Sequence, residues 1–182
     1  MHLDAYLSRF AFVKEIKIPE HVYLEFPERI AIGKGTVIEP GVYIQGPCII
    51  GENCILRHGA YIRNGVIMGN HCAIGHAAEV KHSILLNYAA AAHFTYVGDS
   101  ILGNRVNLGA GVKCANLRLD RRPVVPGLSK FGTCIGDSAQ VGCNAVLNPG
   151  TLIGRDAIIY PLQSVSGFVA PHQRVGGKAH AS

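Results

Sequence analysis

An aliphatic residue recurs at every sixth position through Ile32, Ile38, Ile44, Ile50, Leu56, Ile62, Met68, Ile74, Val80 and Leu86. The residue after the anchor is often glycine (Gly33, Gly51, Gly69, Gly75), and the position four after it is small or β-branched: Thr36, Val42, Cys48, Cys54, Ala60, Val66, Cys72, Ala78, Ile84. Both positions are expected to point inward. With one anchor per flat strand, three repeats close an 18-residue triangular coil, and stacked coils continue parallel sheets at about 4.8 Å spacing. The period resumes at Val97, Leu102, Leu108 and Cys114, with one five-residue step after Val97, and again at Ile135, Val141, Leu147, Ile153, Ile159 and Val165. The expected fold is all-β, a parallel helix of about seven coils. Asn and Gly stand where corners need positive φ or room for a sharp turn, as at Gly35, Gly41, Asn53 and Asn70.

Composition agrees with such a solenoid. Hydrophobic residues make up 48% and aromatics only 7%, with 22 glycines and no tryptophan, so the apolar content is mostly aliphatic. The net charge of +5 favours anionic small ligands and is too low for a nucleic-acid-binding stripe. No apolar run reaches the length of a membrane span and no leader pattern opens the chain, so a cytoplasmic protein with no membrane partner is expected. Six cysteines, Cys48, Cys54, Cys72, Cys114, Cys134 and Cys143, track the repeat and are expected as free thiols.

The period divides the chain. Residues 1–31 read as a lead-in with one short helix over Leu3, Leu7, Phe10 and Ala11 that caps the first coil. Residues 32–170 form the solenoid, and 171–182 a polar, flexible tail with Gly176, Gly177, Lys178 and His180. Two segments fall outside the period. The first, 87–96, carries His93 and Tyr96; the second, 115–134, carries Asn116, Arg118, Asp120, Arg121, Arg122 and Lys130. Function on a repeat scaffold concentrates in such interruptions, because the coils are occupied with packing. Arg63 and Lys81 lie 18 residues apart, which stacks two cations about 5 Å apart at one corner, where they repel unless an anion sits between them.

The segments Glu79-Val80-Lys81-His82-Ser83, His93-Phe94-Thr95-Tyr96-Val97-Gly98-Asp99, Val106-Asn107-Leu108-Gly109-Ala110-Gly111 and Ala115-Asn116-Leu117-Arg118 occur in that order. They resemble the acetyltransferase domain of bifunctional N-acetylglucosamine-1-phosphate uridyltransferases and related archaeal sugar-1-phosphate nucleotidylyltransferases. The resemblance implies a left-handed β-helix, a homotrimer, acetyl-CoA as acyl donor and a sugar phosphate as acceptor. It makes His93 the general base, puts Asn116 near the acetyl group, Arg63 and Lys81 on the sugar phosphate, and Tyr96 and Asn107 on the sugar or phosphate. Cys143 and Tyr160 fall in the coils that contact the coenzyme, with Cys143 where the family usually has serine and Tyr160-Pro161 where it has Ala-Gly. The nucleotidyltransferase domain of those proteins has no counterpart in this sequence, so uridylyl transfer is not expected of it. The chemistry agrees independently, since an amine must lose a proton as it attacks a thioester and imidazole titrates near working pH.

Two other readings stay open. A non-catalytic β-helix that binds a nucleotide sugar or a partner protein would need no base. His58, His71 and His76, the last two five residues apart as in γ-class carbonic anhydrases, admit a zinc enzyme on the same fold; no metal is expected, and a structural histidine ladder is the simpler account.

Overall fold

The computed structural model describes residues 3–177. Three parallel sheets of eight short strands wind around one apolar core. The first sheet starts at Ile30–Ile32, the second at Val37–Ile38, and the third at Tyr23–Glu25 followed by Tyr43–Gln45. Each turn of chain visits one strand of each sheet, so neighbours within a sheet are one turn apart in sequence. Alternation within each strand sends the anchor inward and its neighbours outward. Ile44, Ile62, Val80, Val97, Cys114 and Leu147 accordingly stack as a fully buried column behind the third sheet.

Eight strands per sheet exceed the seven coils that the period suggests, because the lead-in already belongs to the solenoid. Tyr23–Glu25 pairs with Tyr43–Gln45, and Ile16, Ile18, Val22 and Leu24 pack against the core. The helix spans only Leu3–Leu7, with both leucines buried, while Phe10 lies beyond it and is exposed. At the other end, Arg174–Val175 pairs with Ile158–Ile159, so part of the stretch expected to be a flexible tail completes the second sheet. Lys178 and His180 lie outside the described residues.

The segment 87–96 is not an interruption. Ala90–His93 is a strand paired with Ala73–His76 on one side and Asn107–Leu108 on the other. The phase slips earlier: the step from Val80 to the next inward residue is five, so Leu85 is buried and Leu86 is 40% exposed. Ser83, and not Ile84, then fills the small inward position. Together with the five-residue step after Val97, this makes two turns of 17 residues, with Met68 opposite Leu85 and Leu85 opposite Leu102. The corner loses one residue, and His82 and Asp99 turn it at φ 47°, where glycine serves the preceding turn at Gly65. Histidine and aspartate are among the side chains that tolerate this left-handed region.

Buried hydroxyls join these turns. Ser83 Oγ donates to the Lys81 carbonyl at 2.7 Å and accepts the Ser100 N–H at 3.0 Å; Ser100 Oγ donates to the Gly98 carbonyl at 2.7 Å and accepts the Thr133 N–H at 3.0 Å. These two buried hydroxyls are thereby paired both as donors and as acceptors. The one long excursion covers residues 115–132, with the solenoid resuming at Thr133–Ile135. It folds back on itself through bridges between Leu117 and Lys130 and between Val125 and Leu128. Cys48, Cys54, Cys72 and Cys114 are buried, Cys134 is half-buried and Cys143 exposed, all as free thiols. Burial pushes the Cys48 and Cys114 thiols up to about 12.

The register is testable one residue at a time. Leu85→Asp should abolish cooperative folding, because it leaves an unpaired carboxylate in the core at a cost of several kcal/mol. Leu86→Asp should change stability by about 0.5 kcal/mol or less. Circular-dichroism melts of the two variants check this; similar melts would contradict the slipped phase.

Candidate active site

Outward positions of the third sheet carry a polar cluster. Arg63, Glu79, Lys81 and Tyr96 come from three consecutive turns, Tyr61 facing Glu79 and Glu79 facing Tyr96 across the pairing. Arg63 Nη1 donates to Glu79 Oε1 at 2.8 Å, and its guanidinium lies 5.7 Å from the Tyr61 ring centroid. The bond to Glu79 raises the Arg63 pKa further. Arg63 Nε is buried without a partner among the described residues. Lys81 Nζ stands 3.8 Å from Asp99 Oδ2 and His82 Nδ1 3.2 Å from Asp99 Oδ1. Asn116, at the foot of the 115–132 loop, donates from Nδ2 to Asp99 Oδ2. The Asp99 side chain is only 14% exposed, so one carboxylate ties the cation column, the shortened corner and the loop together.

Gly98 makes this convergence possible. A Cβ there would lie 2.6 Å from the Tyr96 hydroxyl and 2.8 Å from Asn116 Nδ2, closer than side chains tolerate. Burial, then the nearby Glu79 and Asp99 carboxylates, raise the Tyr96 phenol pKa, so the hydroxyl stays protonated. The protein itself supplies a carboxylate to each cation, Glu79 to Arg63 and Asp99 to Lys81. Sequence reasoning missed both, although Glu79 stands two residues before Lys81 on the same outward face and Asp99 follows the strand aligned with it.

Around the corner from this cluster lies His93, the last residue of Ala90–His93. It aligns with His76 one turn back. His58 and His76 are stacked at 5.7 Å, each held through Nδ1 to a backbone carbonyl, Pro40 at 2.6 Å and His58 at 2.9 Å. Those carbonyls accept, so both Nδ1 atoms are donors. His93 is exposed and makes no side-chain hydrogen bond among the described residues. Asn107 is exposed on the second sheet, between Ala90 and Gln140. Cys143 occupies the same corner as His93 two turns on, and Tyr160 lies at the far end of the second sheet, with its ring close to Gly177. Arg63, Lys81, Tyr96 and Asn116 thus gather at one end of the third sheet, Lys81 and Asn116 sharing Asp99, while His93, Asn107, Cys143 and Tyr160 occupy the adjacent face and corner. His71 stacks on Tyr88 at 4.7 Å, at a different corner from His76, so the structure does not bring this pair together.

On the loop, Asp120 binds Arg118 Nε at 2.9 Å and Arg122 Nε at 2.8 Å, and these guanidiniums hold its carboxyl well below the usual range. The clamp leaves Leu119 fully exposed.

The helical path, the inward columns and the polar corner define a class, the β-helix with its site on outward faces. Comparison with solved structures gives its hand. The chain matches the Arabidopsis UDP-N-acetylglucosamine acyltransferase with a TM-score of 0.58 at 15% identity, over 94% of this chain and 71% of that one. It matches the Moraxella catarrhalis UDP-N-acetylglucosamine O-acyltransferase with a TM-score of 0.51 at 12% identity, over 88% and 67%. At these identities the likeness speaks for the fold, a left-handed parallel β-helix. In sequence, residues 44–125 match the family model of the GMPPB C-terminal domain. The chain is 41% identical over 75 residues to the bifunctional protein GlmU of Methanococcus vannielii, covering 37% of this chain and 18% of that protein. It is 41% identical over 78 residues to the bifunctional sugar-1-phosphate nucleotidylyltransferase/acetyltransferase of Sulfurisphaera tokodaii, covering 38% and 20%. The chain spans about a fifth of the length of these curated relatives.

Gly98→Ala should displace the Tyr96 hydroxyl and Asn116, costing about 1–3 kcal/mol as overpacking does. For a chain of this size that lowers Tm by several degrees. A melt indistinguishable from the wild type would show that the cluster does not crowd Gly98.

Proposed function

We propose that this protein transfers an acetyl group from acetyl-CoA to the amine of an amino-sugar-1-phosphate resembling glucosamine 1-phosphate. The observation that carries the reading is the convergence of Arg63, Lys81, Tyr96 and Asn116 on one outward face, one corner away from the unrestrained imidazole of His93. The acceptor phosphate takes Arg63 and Lys81, competing with Glu79 and Asp99 for them. Tyr96, with its hydroxyl kept protonated, donates to the sugar or phosphate. The amine nitrogen attacks the thioester carbon and its proton passes to His93; the C–S bond then breaks, and the CoA thiolate takes that proton back from His93 and leaves as the thiol. Asn116 stabilises the oxyanion. Cys143 and Tyr160 line the coenzyme side.

We propose further that the active form is a homotrimer. Asn107 and His93 lie on a different face from the phosphate cluster, and a neighbouring chain can bring the two faces together across an interface. The 115–132 loop, stiffened by the Arg118–Asp120–Arg122 clamp, is long enough to reach across it. Light scattering should give three times the chain mass; 19.4 kDa at micromolar concentration would contradict the trimer.

Thiol release from acetyl-CoA tests the chemistry. His93→Ala should lower turnover by ~10²-fold or more with the fold intact, the usual contribution of a positioned general base. Arg63→Ala and Lys81→Ala should mainly raise KM for the acceptor, because a phosphate is charged equally in ground and transition states. Equal rates in His93→Ala and wild type would remove the base assignment. No release with any hexosamine 1-phosphate would favour the non-catalytic reading.

A further inference from the structure

The outward column that holds Glu79 and Tyr96 continues through the preceding turns as Tyr61, Tyr43 and Tyr23, each opposite the next in the pairing. Their rings form a continuous ladder. Tyr23 and Tyr43 stack at 6.5 Å and 21°, and Tyr43 and Tyr61 meet edge to face at 5.4 Å and 85°. These tyrosines are 59%, 37% and 37% exposed and stand outside the core cluster. The fold does not demand aromatic rings here, since the equivalent column of the second sheet is Val37, Ile55, Ala73 and Ala90. Beside the ladder, Tyr43 Oη and Gln45 Nε2 both donate to Glu25 Oε2, at 3.0 and 2.9 Å. The ladder runs straight into the cation cluster, where Arg63 lies over Tyr61.

Charge adds a second argument. Arg63 and Lys81 face Glu79 and Asp99, two positive charges against two negative, so a bare phosphate gains little from the cluster. An acceptor held there needs contacts of another kind, and exposed aromatic faces adjacent to the cations supply them. A nucleobase stacked on an aromatic side chain gains roughly 5- to 150-fold in affinity. Turns rise about 4.8 Å each, so Tyr43 stands about 10 Å from Lys81 along the axis, within reach of a base carried on a ribose and its phosphates.

We infer that the acceptor's phosphate carries a nucleoside, so that a nucleoside diphosphate amino sugar lies along the third sheet with its diphosphate at Arg63 and Lys81 and its base on Tyr61 and Tyr43. This rests on the acyl-acceptor reading for the role of the sugar amine and replaces the simple sugar phosphate with a longer substrate.

Calorimetric titration of the full chain with UDP, GDP, glucosamine 1-phosphate and inorganic phosphate tests it. UDP or GDP should bind at least tenfold more tightly than glucosamine 1-phosphate. Tyr43→Leu should weaken the nucleotide at least fivefold and glucosamine 1-phosphate less than twofold, and Tyr43→Phe should restore nucleotide binding. On the wild type, saturation-transfer NMR should place the strongest protein contact on the base protons, a readout independent of any variant's folding. Nucleotides that bind no better than inorganic phosphate, or are unaffected by Tyr43→Leu, would overturn the inference. Ladder-dependent nucleotide binding without thiol release from any UDP-linked or GDP-linked amino sugar would keep the ladder and remove the acyl transfer. Thiol release with glucosamine 1-phosphate and no nucleotide binding would do the reverse.

Discussion

Every feature of this molecule hangs on the stacking of inward anchors from one turn onto the next. Ile44, Ile62 and Val80 occupy a single buried column, and the backbone amides of each turn bond the carbonyls of its neighbour, as Tyr43 N–H does to the Ala60 carbonyl at 3.0 Å. A turn cannot shift by one residue without exposing its anchor, so register is fixed by burial along the whole solenoid. The cost is that the interior has no room for chemistry. Charged and large polar side chains are kept to outward columns and corners, where they repeat with the pitch of the turns and build long, straight arrays such as the tyrosine ladder and the histidine corner.

Where the pitch is broken, the arrays converge. The two 17-residue turns place His82 and Asp99 at a tightened corner, and the 115–132 loop leaves the solenoid beside them. Asp99 accepts from Asn116 at the loop's foot and faces Lys81 and His82 at the corner. Glycine at 98 provides the space, and the buried Ser83 and Ser100 hydroxyls satisfy the backbone there. A polar hub sits in the one region where the repeat is least regular, and it keeps a near-zero sum of charge by pairing each cation with a carboxylate. That balance makes the site's preference depend on neutral contacts as much as on charge.

The sequence declares the solenoid openly, because a six-residue period of aliphatic anchors has few other physical explanations. It hides the phase slip at Leu85. Leu85 and Leu86 are both leucine, so the pattern offers no contrast between the inward and outward choice, and the next anchor is Ala91, lost in a run of alanines. The same slip disguised an ordinary strand, Ala90–His93, as an interruption. The lead-in concealed its rung because Leu24 lies between an outward tyrosine and a glutamate, with none of the glycines that mark later turns. In the polar cluster, the stacking of Arg63 and Lys81 on adjacent turns was legible from their spacing alone. Glu79 and Asp99 were not, since carboxylates next to cations read as solvated surface until the pairing shows how close they stand. Handedness is invisible to periodicity and follows from the likeness to solved folds.

The placement of the acceptor is the claim on which the functional account turns. A crystal structure of the protein with CoA and an amino-sugar phosphate would locate the phosphorus directly. The account predicts it against Arg63 and Lys81, with the sugar amine facing the His93 imidazole of the same or an adjoining chain. A phosphate bound away from the third sheet, with His93 facing only solvent, would contradict it.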